Sequence, residues 1–135
     1  MGPDMIPFPA MPPAVLRFFQ ASQQGDADAW ASAFAEDALF HDPVGTPPLE
    51  GRAAVHDLVS SVLATFRPFH GLMPTEAHSA GSSVAVAWRG TAVTETGGTV
   101  EWSGINVFEL DGTGLIREAR AYFDRAAFLA QLDAA

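Results

Sequence analysis

The spacing of apolar residues switches repeatedly between helical and strand periods along the chain. In "PAVLRFFQASQQGD", Val15, Phe18 and Phe19 recur at helical spacing, Pro13 suits a first turn and Gly25 suits a stop. This predicts a first helix. Asp26 reads as the N-cap of a shorter second helix through "ADAWASAFA", with Trp30 and Phe34 one turn apart on the same side. In "ALFHDP" the period drops to two. Ala38, Phe40 and Asp42 share one strand face, Leu39 and His41 the other, and Pro43 ends the run because it cannot donate to a ladder. After the bend "PVGTPPLEG", the stretch "RAAVHDLVSSVLATF" returns to helical spacing, with apolar residues at 55, 58, 59, 62, 63 and 66.

From His70 onward alternation dominates. Val84, Val86 and Trp88 fall on one side of a strand, "TGG" turns the chain, and Trp102, Gly104, Asn106, Phe108 and Leu110 line one face of the next. A "DGTG" turn leads to a last strand with Arg117, Ala119, Ala121 and Phe123 on one face and Glu118, Arg120 and Tyr122 on the other. "RAAFLAQL" then suits one further short helix. Helices first and consecutive antiparallel strands afterwards indicate an α+β domain, its helices packed on one face of a curved sheet that can close around a pocket.

Composition narrows the chemistry. The 135 residues fit one domain with a core of its own. Five of the ten prolines lie in residues 1–13, which reads as an extended N-terminal arm ahead of a single domain at 14–135. Ten Phe and three Trp against one Tyr supply enough bulky apolar surface for a dense core or a cavity. A formal charge of −9, with no local Lys/Arg cluster, argues against nucleic acid and anionic membranes as partners. With no cysteine and four scattered histidines, neither thiolate chemistry nor a metal site is expected. No apolar run approaches membrane-spanning length and the N-terminus lacks a signal-peptide pattern, so the cytoplasm is the expected location.

Asp42 is the residue with the most chemical promise. A carboxylate can take a proton from carbon next to a ketone and return it elsewhere if an apolar wall, such as Phe40, keeps it from full hydration. It can equally be an Asx-turn residue that stabilises the bend. Asn106 is either a ligand contact or an amide bonded to neighbouring backbone. Trp88, Trp102 and Phe123 either line a cavity or form ordinary core. His41 lies on the strand face opposite Asp42, which disfavours a couple between them and suits a structural role. His56 belongs at a helix edge, whereas His70 and His78 suit either the cavity or a subunit surface.

The segments "GDADAWASAFAEDALFHDPVGTPPLEGRAAV" and "WSGINVFELDGTGLIREARAYFD" closely resemble the ketosteroid-isomerase-like, or SnoaL-like, branch of the nuclear-transport-factor-2-like superfamily. The resemblance implies a cone: a strongly curved antiparallel sheet packed against N-terminal helices around an apolar pocket. It also implies an aspartate that shuttles a proton and two donors to the substrate oxygen. Asp42 matches the aspartate. The first donor, a tyrosine on the first helix, falls on Phe18, which cannot donate. The second, an aspartic acid, falls on Asn106, which donates at neutral pH but less acidly. Losing one such donor costs about 10² to 10³ in turnover, so these departures point to another substrate or chemistry in the same pocket.

The expected function is that of a steroid delta-isomerase-like enzyme acting on a hydrophobic carbonyl substrate. Asp42 and Asn106 would be catalytic and Phe18, Phe40, Trp88, Trp102, Phe108 and Phe123 would bind substrate, with no cofactor. The alternatives are a SnoaL-like polyketide cyclase or dehydratase, or a non-catalytic module that binds a ligand or dimerises. The resemblance further implies a homodimer through the outer sheet face, where Ala85, Ala87, Ile105 and Val107 lie, and Tyr122 suits a partner surface.

Overall fold

The computed structural model describes residues 8–134, so the start of the proline-rich arm lies outside the described residues. The rest of the arm is partly seated: Phe8 and Met11 pack against the core. Helix α1 runs Pro13–Gln24, with proline in its first turn and Gly25 closing it at φ 69°. That left-handed conformation favours glycine. Helix α2, Ala27–Ser32, is capped by Asp26, whose side chain accepts from the Ala29 N–H at 3.0 Å.

The second helix is shorter than its sequence pattern suggests. Phe34 belongs to strand β1, Phe34–His41, because Ile116 N–H donates to Ala33 O and Phe34 pairs with Ile116 across the sheet. Long-range pairing overrides a local helical spacing here. Phe34 is nevertheless fully buried, and an irregularity in the pairing after it coincides with the outward placement of Glu36 and Asp37.

Beyond the bend, β2 (Leu49–Glu50) folds back on β1, and α3 (Arg52–Thr65) follows. Strands β3 (Phe69–Ala80), β4 (Ser83–Val93), β5 (Thr99–Leu110) and β6 (Ile116–Tyr122) form an antiparallel meander, and α4 (Arg125–Ala134) ends the described chain. The open sheet has the order β2-β1-β6-β5-β4-β3. One pair, β1 with β6, is parallel, since the meander delivers its last strand beside the first. Arg117 departs from its expected face: a bulge opposite Glu109 and Leu110 leaves it exposed and sends Ile116 into the core with Ala119 and Ala121.

Two details close the concave side. Helix α1 clasps edge strand β3, with Gln23 Nε2 donating to Leu72 O at 2.9 Å and Leu72 N–H donating to buried Ser22 Oγ at 3.0 Å. These bonds occupy backbone groups that an edge strand otherwise exposes. Gly104 lies beneath Trp88, where an added Cβ would meet the indole at 2.8 Å and clash with Tyr122 O. The missing side chain lets Trp88 lie flat against β5. Gly104→Ala is therefore expected to destabilise the fold by about 1 to 3 kcal/mol, measured as a lower urea midpoint.

Candidate functional site

Helices α1 to α3 cover the concave face, and Phe66, Phe69, Trp102 and Phe128 pack into a connected aromatic group. They leave a cavity of about 140 Å³, lined almost entirely by apolar side chains. An apolar cavity of about 150 Å³ accepts one benzene ring, so the enclosed space as it stands matches a single ring.

Asp42 borders this cavity at the end of β1, beside Phe40. Asp42 is an exposed residue at the cavity rim, with protein atoms crowded around its carboxyl on the cavity side and solvent on the other. No side chain or backbone N–H among the described residues donates to it, so the Asx-turn alternative is not realised. The bend is held instead by Thr46, whose N–H and Oγ1 both donate to Pro43 O, and by the Val44 N–H donating to Ala121 O. Burial raises the Asp42 carboxyl from its ordinary 3.8 to about 6. Water at the rim moderates that rise, since a fully dry carboxylate is costlier still.

Asn106 is 1% exposed on β5. Trp88 Nε1 donates to its Oδ1 at 2.9 Å. The sequence alternatives, ligand or backbone, thus resolve in part to a third partner, a neighbouring indole. Nδ2 has no acceptor among the described residues, yet it is not sealed, because the one sealed and unpartnered side-chain nitrogen or oxygen among them is Trp30 Nε1. The small accessible area of Asn106 therefore includes its amide nitrogen, at the cavity wall.

Phe18, Phe40, Trp88, Trp102 and Phe123 all line the cavity with Asp42 and Asn106. Phe108 does not. It is fully buried behind the wall, 5.1 Å from the Phe18 ring and 5.9 Å from Phe19, although it shares a strand face with Asn106. The curvature of the sheet moves it from pocket to core. His70 and His78 are exposed and away from the cavity, and His78 pairs with Glu76. His56 pairs with Asp28 and His41 with Glu118, at 2.7 and 2.9 Å. On the outer face Glu118 also meets Arg120, which reaches Glu109. Among the described residues no three His, Cys, Asp or Glu side chains gather as metal ligands.

The model of the SnoaL-like domain matches residues 15–119. The chain belongs to this family. Among solved structures, the SnoaL-like chain is similar to the epoxide hydrolase/cyclase-like enzyme SalBIII of pyran ring formation in polyether salinomycin. Identity is 28% and the TM-score 0.75, over 84% of this chain and 90% of that one. It is also similar in fold to an M. tuberculosis LEH-like epoxide hydrolase, at 23% identity and TM-score 0.74, over 90% of this chain and 87% of that one. The fold is thus that of the nuclear-transport-factor-2-like cone, as the sequence motifs imply. No described helix is long and apolar enough to cross a membrane.

Among the lining residues of this SnoaL-like cavity that sequence reasoning missed are Trp30, Leu58, Val62, Phe66 and Phe128. The periodicity of α3 marks three of them as inward-facing, but periodicity does not separate wall from core. Phe128, on α4, reaches the site only because that helix folds back over Trp102, at 4.9 Å between rings. Gln131 fixes the helix there, donating to Glu101 O and accepting from Glu101 N–H.

The raised Asp42 value has a stability consequence with a definite sign. The folded state holds the proton to a higher pH than the unfolded chain, so this group's contribution falls as pH rises from about 4 to about 6. Asp42→Asn is expected to match the wild type in stability below that window and exceed it above, in urea titrations across pH.

Proposed function

We propose that this SnoaL-like protein is a cofactor-independent enzyme that moves a proton on a compact, hydrophobic, carbonyl-bearing molecule. The single observation that carries this reading is the Asp42 carboxyl standing without a hydrogen-bond donor among the described residues at the rim of an aromatic cavity, a setting that raises its pKa toward about 6. A base with such a value is ionised at neutral pH and still basic enough to accept a proton from carbon.

In the isomerase form of the reaction, the carboxylate takes a proton from the carbon between a carbonyl and a double bond. The C–H electron pair becomes a new C=C bond, and the negative charge moves to the carbonyl oxygen. The Asn106 N–H groups stabilise that charge. Asp42 then returns the proton to the far carbon, and the carbonyl re-forms in conjugation with the shifted double bond. Atoms and charge balance without a cofactor. The apolar walls provided by Phe18, Phe40, Trp102 and Phe123 hold the ring and limit hydration of the base.

Similarity to the cyclase-like SalBIII favours a second reading, ring closure on a polyketide-like chain. There the carboxylate removes the proton from an attacking hydroxyl as its oxygen bonds to a carbonyl carbon, the C=O π pair moves to the carbonyl oxygen, which Asn106 steadies, and Asp42 returns the proton to that oxygen. A pocket of this size takes the closing ring and leaves the remainder of such a chain outside.

The outer sheet face suits a second copy of the chain. Ile105 and Tyr122, 49% and 46% exposed, are direct cross-strand neighbours there. A homodimer through this face is expected in sedimentation experiments, with Ile105→Lys shifting it to monomer.

Turnover of a β,γ-unsaturated cyclohexenone, followed as conjugated-enone absorbance, tests the base directly. The rate is expected to rise with pH through about 6 and then level. Asp42→Asn is expected to lose on the order of 10² or more of it. Equal slow rates in both proteins would leave a binding module, and a β,γ-unsaturated ketosteroid turned over faster than the single ring would contradict the size reading.

A further inference from the structure

The orientation of the Asn106 amide determines what the buried end of the cavity can recognise. A primary amide has two faces of opposite character, an acceptor oxygen and a donor NH₂. Rotation by half a turn exchanges them with almost no change in shape. Indole N–H is a donor and nothing else. Its 2.9 Å bond to Oδ1 therefore holds the oxygen toward Trp88 and turns Nδ2 to the cavity wall, where it has no acceptor among the described residues. Trp88 is itself held: it is 3% exposed, rests over Gly104, and meets Trp102 and Phe123 edge-on at 6.2 and 6.0 Å.

We propose that Trp88 is a positioning residue that fixes Asn106 as a hydrogen-bond donor, so that the site selects single-ring ligands by an acceptor oxygen at the buried end. This rests on the reading of the cavity as a substrate site but is separate from the proton step at Asp42. The chemical class is a cyclic ketone or cyclic ether. An isosteric hydrocarbon ring fills the same space and leaves Nδ2 unpaired, whereas a group that can only donate meets another donor.

Cyclohexanone and methylenecyclohexane, nearly equal in shape, isolate this term. The wild type is expected to bind the ketone roughly three- to tenfold more tightly than the hydrocarbon, the range of one net hydrogen bond. The carbonyl stretch of the bound ketone is expected at lower frequency than in hydrocarbon solvent. Trp88→Phe removes the N–H while keeping an aromatic ring, and is expected to abolish both the preference and the frequency shift; because the altered wall acts on both ligands alike, the ketone-to-hydrocarbon affinity ratio is the quantity read. Asp42→Asn is expected to keep both while losing turnover, which separates this proposal from the base assignment.

The wild type alone also tests it, should Trp88→Phe fold poorly. In nitrogen-15 spectra the Asn106 side-chain NH₂ is expected to shift with the ketone and not with the hydrocarbon. An unchanged preference in Trp88→Phe, no preference in the wild type, or a ketone-specific shift at the Trp88 indole in place of the Asn106 amide would overturn the proposal.

Discussion

A carboxylate placed against aromatic rings loses part of the hydration that makes its charge inexpensive, and no nearby donor restores it at Asp42. The loss weakens the fold as the group ionises and simultaneously makes the group a better base. The surrounding architecture maintains that condition: β1 ends beside Phe40, the bend is bonded through Thr46 and Val44 without engaging the carboxylate, and α4 brings Phe128 over the opposite wall. Bending the chain through Asp42's own side chain would have been simpler, but it would have lowered the carboxyl and dulled its chemistry.

The interior polar groups follow a related rule. Buried N–H and C=O groups are costly when unpaired, and Asn106 satisfies its oxygen through Trp88 while its nitrogen stays at the cavity wall. Trp30 Nε1 is the exception, sealed beside Phe18 and Phe69 with no acceptor among the described residues. The ion pairs among His41, Glu118, Arg120 and Glu109 lie on the outer face, half-buried and apart from the cavity. The outer-face ion pairs are thus separate from Asp42, the one carboxylate that borders the cavity among the described residues.

Much of this architecture is legible in the sequence. Pro13, Gly25 and Asp26 mark helix ends through conformations and capping bonds that are local, and the alternation in β4 and β5 reports burial directly. Asp42 is legible because a strand's two-residue period aligns it with Phe40. What failed to show depends on contacts distant along the chain. Phe34 joins a strand through Ile116, Arg117 is turned out by a bulge, and Phe108 lies behind the wall because the sheet curves. The Trp88–Asn106 bond was equally hidden: the two residues fall on inward faces of neighbouring strands, but only register brings the indole N–H to the amide oxygen. Cavity size depends on how side chains from distant elements, Phe66 and Phe128 among them, pack around the space, and no local pattern encodes it.

The central claim is most directly tested by carbon-13 titration of the Asp42 side-chain carboxyl in the unliganded protein, which reads protonation without reference to any substrate. A midpoint near 6 is the value this account requires. A midpoint near the ordinary 3.8 would mean a fully hydrated carboxylate and would contradict it.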